Sequence, residues 1–275
     1  MKSKLLDTAC GQIHYWLSEN IDTDAITLVF LPGLTADHRL FDKQISYFEG
    51  GMNLLTWDAP GHALSRPFYL DFNLFDKARW LDAILEKENI RRPVIVGQSM
   101  GAYVGQAYAQ LFPEKLCGFV SIDSAPLQRK FTTAIEIWLL KHIEPVYRMY
   151  PWKMLVKAGS IGVATSEYGR ALMSKMMLDY EKSEYASLVG HGYRMLAVAM
   201  EADLPYEIKC PALLICGEKD MAGSTKRYNK AWHNVAGIPI NWISGAGHNS
   251  NTDAPEIVNE LIDTFVRFRV GCRIQ

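Results

Sequence analysis

Ser99, Asp220 and His248 are the residues whose types, order and settings point to chemistry in this chain of 275 residues. Ser99 is the centre of Gly97-Gln98-Ser99-Met100-Gly101, between the apolar run Pro93-Val94-Ile95-Val96 and an amphipathic segment from Ala102 to Leu111. That pattern reads as strand, sharp turn and helix, with a hydroxyl at the apex beside the positive end of the helix. Glycine on both sides makes room for a turn that strains its central residue. A serine hydroxyl is a weak nucleophile until a base takes its proton and an acid orients that base. In chains with such a turn, the acid and then the histidine follow the serine. Asp220 ends Gly217-Glu218-Lys219-Asp220, directly after the apolar run Ala212 to Cys216. His248 ends Gly245-Ala246-Gly247-His248, after the run Ile238 to Ile243. Serine also caps helices well, but the flanking glycines and two matched partners downstream favour a nucleophile. Asp123, in Ser121-Ile122-Asp123-Ser124, is the rival acid. Of seven histidines only His248 follows the last strand-like run. Asp37, His38 and His62 read as loop-stabilising residues.

These groups must be carried by strands that end at one edge. Periodicity predicts strands over 5–9 and 12–17, paired around Gly11, and near 26–31, 53–57, 93–97, 117–122, 211–216 and 238–243. Helical stretches fall near 41–48, 75–89, 99–111, 225–235 and 255–268. Such alternation implies a mainly parallel sheet covered on both faces, with a ligand crevice at the carboxyl ends of its strands. Asp253 as N-cap, Pro255 and Glu256 signal the start of the last helix. From 127 to 200 the alternation stops, and the chain reads as several helices broken near Pro145, Pro151 and the Gly159–Gly162 region. Seven of the eleven methionines lie there (Met149, Met154, Met173, Met176, Met177, Met195 and Met200), with Trp138, Tyr147, Tyr150 and Trp152. A soft, aromatic surface of this kind adapts to apolar ligands. Residue by residue, packing within the helical segment is the favoured role.

With these motifs the chain resembles the α/β-hydrolase superfamily over nearly its whole length. Leu31-Pro32-Gly33-Leu34 looks like the oxyanion loop of that superfamily, and Asp58-Ala59-Pro60-Gly61-His62-Ala63-Leu64-Ser65 like its loop after the next strand, with Ala63 where glycine is usual. The nearest subgroup is the capped esterases and thioesterases, including MenH-like and pimeloyl-carrier methyl esterase-like enzymes. The resemblance implies an α/β fold with an eight-stranded, mainly parallel sheet, helices on both faces and a helical cap inserted after the sixth strand. Residues 1–126 and 201–275 would form the core and 127–200 the cap. It further implies that Ser99 attacks an acyl carbonyl of an ester or thioester, that the backbone N–H groups of Leu34 and Met100 hold the oxyanion, and that water then hydrolyses the acyl-enzyme without metal or cofactor. Serine at the turn argues against dehalogenase and epoxide hydrolase chemistry, which uses aspartate there. Carbon–carbon bond hydrolysis, lyase or cofactor-free haloperoxidase chemistry on the same triad, or a ligand receptor with a slow triad, stay open. A dinucleotide-binding dehydrogenase is disfavoured: its glycines belong after the first strand, and no tyrosine here has lysine four residues on.

Composition fits a single enzyme acting on a small molecule. Hydrophobic residues make up 49% and the formal net charge is −1, which gives no electrostatic footprint for nucleic acid. No apolar run reaches the length of a membrane span, and the first residues lack the apolar stretch of a signal peptide. Five cysteines (Cys10, Cys117, Cys210, Cys216 and Cys272) show no C-x-x-C spacing, which suggests reduced thiols in a cytoplasmic protein. Residues 127–200 hold ten Lys and Arg against six Asp and Glu, an excess of +4. That excess suits an anionic substrate or an acidic carrier protein, and equally a set of solvated helix faces.

Overall fold

Buried β-branched and leucine-rich runs build the centre of the protein. The computed structural model describes residues 1–271, and Cys272 lies outside them. Eight strands form one sheet: β1 (Lys2–Thr8), β2 (Gly11–Leu17), β3 (Thr27–Leu31), β4 (Asn53–Trp57), β5 (Pro93–Gln98), β6 (Gly118–Ile122), β7 (Ala212–Gly217) and β8 (Ile240–Ile243). Their order is β1-β2-β4-β3-β5-β6-β7-β8. The β1–β2 and β2–β4 pairs are antiparallel, and all pairs from β4 to β8 are parallel. Strands buried on both faces need no polar alternation, and β3 to β6 are buried along their full length.

Alternate side chains feed two separate cores. Val29, Leu31, Ile95, Phe119 and Leu214 point to one, Leu28, Phe30, Val94, Val96, Val120 and Ile215 to the other. The first core is covered by α2 (Leu74–Lys87), α3 (Met100–Leu111) and α9 (Thr225–Ala236). The second is covered by α1 (Asp42–Phe48) and α11 (Pro255–Phe265). Five helices interrupt the alternation between β6 and β7: α4 (Ala134–His142), α5 (Glu144–Met149), α6 (Trp152–Val163), α7 (Glu167–Leu178) and α8 (Lys182–Glu201). They share a small core of Val156, Met177, Tyr180, Tyr185, Leu188 and Val189.

Two local expectations are corrected. Helix α6 runs through Gly159 and Gly162 and ends at Val163, so the break falls at 164–166, where Ser166 caps α7. Asp253 does not cap α11, whose N-cap position is Ala254; it closes the four-residue helix α10 (Ser250–Asp253). Its carboxylate instead accepts from the N–H groups of Thr165, Ser166 and Gly247. A short helix made this site available, and three backbone donors outcompete a single cap. Among the methionines, Met149 and Met154 are exposed, while Met173, Met176, Met177, Met195 and Met200 are buried.

The crossing of α3 under β3 tolerates no side chain. A Cβ on Gly101 would lie 1.8 Å from the Leu31 carbonyl oxygen, and one on Gly97 would lie 2.4 Å from the Ala102 nitrogen. Gly101→Ala is therefore expected to cost about 3 kcal/mol by overpacking, measured by urea denaturation; an unchanged midpoint refutes the close approach. Asp253→Ala is expected to cost about 2 kcal/mol at neutral pH through three orphaned donors. Those donors hold the Asp253 carboxyl below its ordinary value in spite of burial. Its contribution is thus present above the unfolded-state pKa of about 4 and fades as pH falls through the lower folded value. The gap between the variant and the parent should close in acid.

Candidate active site

Ser99, Asp220 and His248 follow β5, β7 and β8, and all three emerge at the carboxyl edge of the parallel sheet. Ser99 has φ 49° and ψ −116°, a conformation costly for any residue with a Cβ. It is held there because its N–H donates to the Ile122 carbonyl, while its own carbonyl accepts from Ser124 Oγ and the Ala102 N–H. The side chain is thereby thrown out over the edge, partly exposed.

His248 is drawn to it. Nε2 lies 2.9 Å from Ser99 Oγ, and Nδ1 lies 3.0 Å from Asp220 Oδ2. An ionised carboxylate only accepts, so Nδ1 carries the proton and Nε2 presents its lone pair to the hydroxyl. The second Asp220 oxygen accepts from the Ala222 N–H at 2.7 Å, which fixes the carboxylate. Burial works against a charged imidazole, but the hydrogen bond and charge of Asp220, with the charge of Asp123, outweigh it and raise the His248 pKa above 6.5.

The rival acid sits elsewhere. Asp123 is fully buried and accepts from Gly217 N–H, Ser250 N–H and Ser250 Oγ–H. Burial pushes its carboxyl up to about 7, against the pull of His248. It braces the strand end before Asp220 and the helix after His248, without a hydrogen bond to the imidazole. Gln98 was not singled out by sequence, although it stands inside the turn motif. Its amide donates to the His248 carbonyl at 2.8 Å and to Asn249 Oδ1 at 3.1 Å, tying the serine turn to the histidine loop. Asp253 and the Val163 carbonyl, which accepts from Asn249 N–H, hold the same loop from the side of α6.

Leu34 and Met100 both border the space around Ser99. Met100 opens α3, so its N–H has no intrahelical acceptor. Gly33 brings the other loop close: a Cβ there would lie 2.3 Å from Gln98 Oε1 and 3.2 Å from the Ser99 Cβ. His38 bonds Asp58 at 2.8 Å and stacks on Trp16, Asp37 takes Arg39, and His62 takes the Pro60 carbonyl. Ala63 keeps φ 38°, the left-handed geometry that glycine adopts more easily. Among the described residues, two groups of ligating atoms gather within 4.8 Å, Asp37–His38–Asp58 and Asp123–Cys216–Asp220. Their carboxylates already accept from the donors just described.

Two cavities meet at Ser99. The first, about 400 Å³, runs under α5, α6 and α8 and is walled by Tyr147, Leu155, Met173, Met177, Tyr185 and Val189. The second, about 380 Å³, runs between α3, α4 and α9 past Tyr103, Thr132, Glu136, Leu140, Met200 and Tyr228. Leu34, Ser99, Tyr193, Ala222 and His248 border both. Of the methionines of the helical insertion, Met173 and Met177 reach the first cavity and Met200 the second.

Comparison with known proteins gives the same architecture. An (E)-2-((N-methylformamido)methylene)succinate hydrolase of Acinetobacter baylyi is 22% identical over 97% of this chain and 98% of its own length. The enol-lactonase from Burkholderia xenovorans superposes with a TM-score of 0.76 at 19% identity, covering 94% of this chain and 99% of that one. A thermophilic esterase from Thermogutta terrifontis superposes with a TM-score of 0.78 at 17% identity, covering 98% and 100%. Residues 28–261 match the family model described as the alpha/beta hydrolase family. By its eight-stranded sheet, its strand order and that match over most of its length, the chain belongs to the alpha/beta hydrolase family of enzymes.

Proposed function

We propose that the protein is a serine hydrolase that cleaves an ester or thioester of a small, largely apolar acyl substrate through an acyl-enzyme. One observation carries the proposal: an unbroken hydrogen-bond chain runs from Asp220 through His248 to Ser99 Oγ. Ser99 is the nucleophile, His248 the base, and Asp220 the group that holds the ring in its tautomer. Nε2 takes the hydroxyl proton as Oγ bonds to the acyl carbon, and the carbonyl electrons move onto oxygen. The N–H groups of Leu34 and Met100 receive that oxyanion. Because both are fixed in the backbone, little reorientation is needed as charge develops. Collapse breaks the bond to the leaving group, which departs with the proton from Nε2. Water, deprotonated by the same nitrogen, then releases the acid and restores Ser99.

Residues 1–126 and, among those described, 201–271 serve as the catalytic core, and 127–200 as a cap that roofs both cavities. Their mostly apolar walls support an apolar acyl group. Exposed Lys153 and Lys157 on α6, the helix whose Leu155 and Ala158 line the first cavity, favour acyl delivery on an acidic carrier protein as a second reading. The Cys10, Cys117 and Cys216 thiols, with no disulfide, support a cytoplasmic setting. No helix among the described residues is long and apolar enough to cross a membrane.

A fluorophosphonate probe is expected to label Ser99, and short 4-nitrophenyl esters to be hydrolysed; Ser99→Ala should abolish both. Persistence of either in the variant rejects the nucleophile. Asp220→Asn should lower kcat by about 10³ to 10⁴, because the wrong tautomer faces the serine. Asp123→Asn should act mainly on stability, and the reverse ranking moves the acid to β6. The rate should rise with pH through an apparent pKa above 6.5, as the imidazole becomes neutral. Asp220→Asn should shift that midpoint downward, since it removes the carboxylate that favours the charged ring.

A further inference from the structure

We propose that the cleft selects uncharged substrates, and that Glu136 is the residue that turns carboxylates away from the second cavity. This deepens the hydrolase assignment above and rests on it. Among the described residues that wall either cavity there is no lysine or arginine, and the one permanently charged side chain is Glu136. A carboxylate entering the first cavity would exchange water for Tyr, Leu, Met and Val walls with no cation to meet it, which is costly. In the second cavity it would also face a like charge.

The Glu136 charge is built into the site. Burial disfavours it, but Thr133, Tyr228 and Arg227 hold its carboxyl down at about 2. Oε2 accepts from the Thr133 N–H and Oγ–H in a capping box at the start of α4. Oε1 accepts from Tyr228 Oη, from Ser224 Oγ at 3.3 Å and from Arg227 at 3.2 Å. Arg227 approaches from the solvent side with 65% of its side chain exposed, and it does not wall the cavity. It compensates the carboxylate without being offered to a ligand. Uncharged polar groups fare differently. A neutral hydroxyl or amide gives up less hydration than a carboxylate on entering apolar walls, and it meets no repulsion from Glu136.

The basic excess of residues 127–200 does not alter this balance. Lys141 pairs with Glu201, and Arg148 and Arg194 pair with Glu144, all outside the cavities. The sequence-based expectation of an anionic small substrate is therefore not matched by the walls.

The test is calorimetric binding of three hydrolysis-resistant amides to the full chain at neutral pH. N-phenylbutyramide is neutral, N-phenylsuccinamic acid carries a carboxylate on the acyl side, and N-(4-carboxyphenyl)butyramide carries one on the other side. The neutral amide should bind, and both acids should bind about 10-fold more weakly or worse, because neither finds a cation. E136Q keeps the capping box and should bring at least one acid to within about 3-fold of the neutral amide. The proposal is overturned if either acid binds the parent as tightly as the neutral amide. It is also overturned if the neutral amide does not bind, or if E136Q leaves the gap unchanged. Because the readout is binding, intact selectivity with an unlabelled Ser99 would support the selection while rejecting the hydrolase chemistry.

Discussion

An imidazole can bridge an alcohol and a carboxylate only while its loop is pinned to within a few tenths of an ångström, and the rest of this structure depends on that pinning. The His248 loop is glycine-rich and buried from Ala246 onward. It is held by Gln98 from the serine turn, by Asp253 beneath it and by the Val163 carbonyl at the end of α6. Asp123 braces the elements on either side. The ties made by Gln98 and Asp123 are buried hydrogen bonds whose loss leaves a donor or acceptor without water, so each is costlier to break than it is favourable to form.

The backbone pays a corresponding strain at the serine. A positive φ at Ser99 persists because the sheet around it over-determines the turn: β5 is paired on both sides, and α3 is pressed against β3 with only a hydrogen atom of clearance at Gly101. The same compression brings the Gly33 loop over Ser99 and the start of α3 beneath it. Helix placement and the proposed oxyanion site are thus two aspects of one packing constraint.

Above this edge, the helical insertion sets what can approach. It covers two largely apolar chambers around Ser99 and keeps the salt bridges of Arg148 and Arg194 outside them. Among the described residues that wall the chambers, Glu136 is the one permanent charge, with Arg227 beside it on the solvent side, and its bonds to α9 also tie the insertion to the core.

Much of the fold was legible in the chain. Buried runs, glycine-flanked turns and the order of Ser99, Asp220 and His248 are local patterns, and local patterns follow from backbone sterics and apolar periodicity. The parallel sheet and the position of the helical insertion could be read the same way. The end of α6, the duty of Asp253 and the part played by Gln98 could not, because each depends on a backbone group 80 to 150 residues away, such as Gly245 for Thr165 and His248 for Gln98. Asp123 and Asp220 are alike in sequence, each at a strand end. Only the folded sheet decided that Asp220 reaches the imidazole while Asp123 turns toward Ser250. The same division holds for charge: composition determined how many cations residues 127–200 carry, but side-chain packing alone decided that none of them faces the cavities, since burial admits a charge only where a partner is already in place.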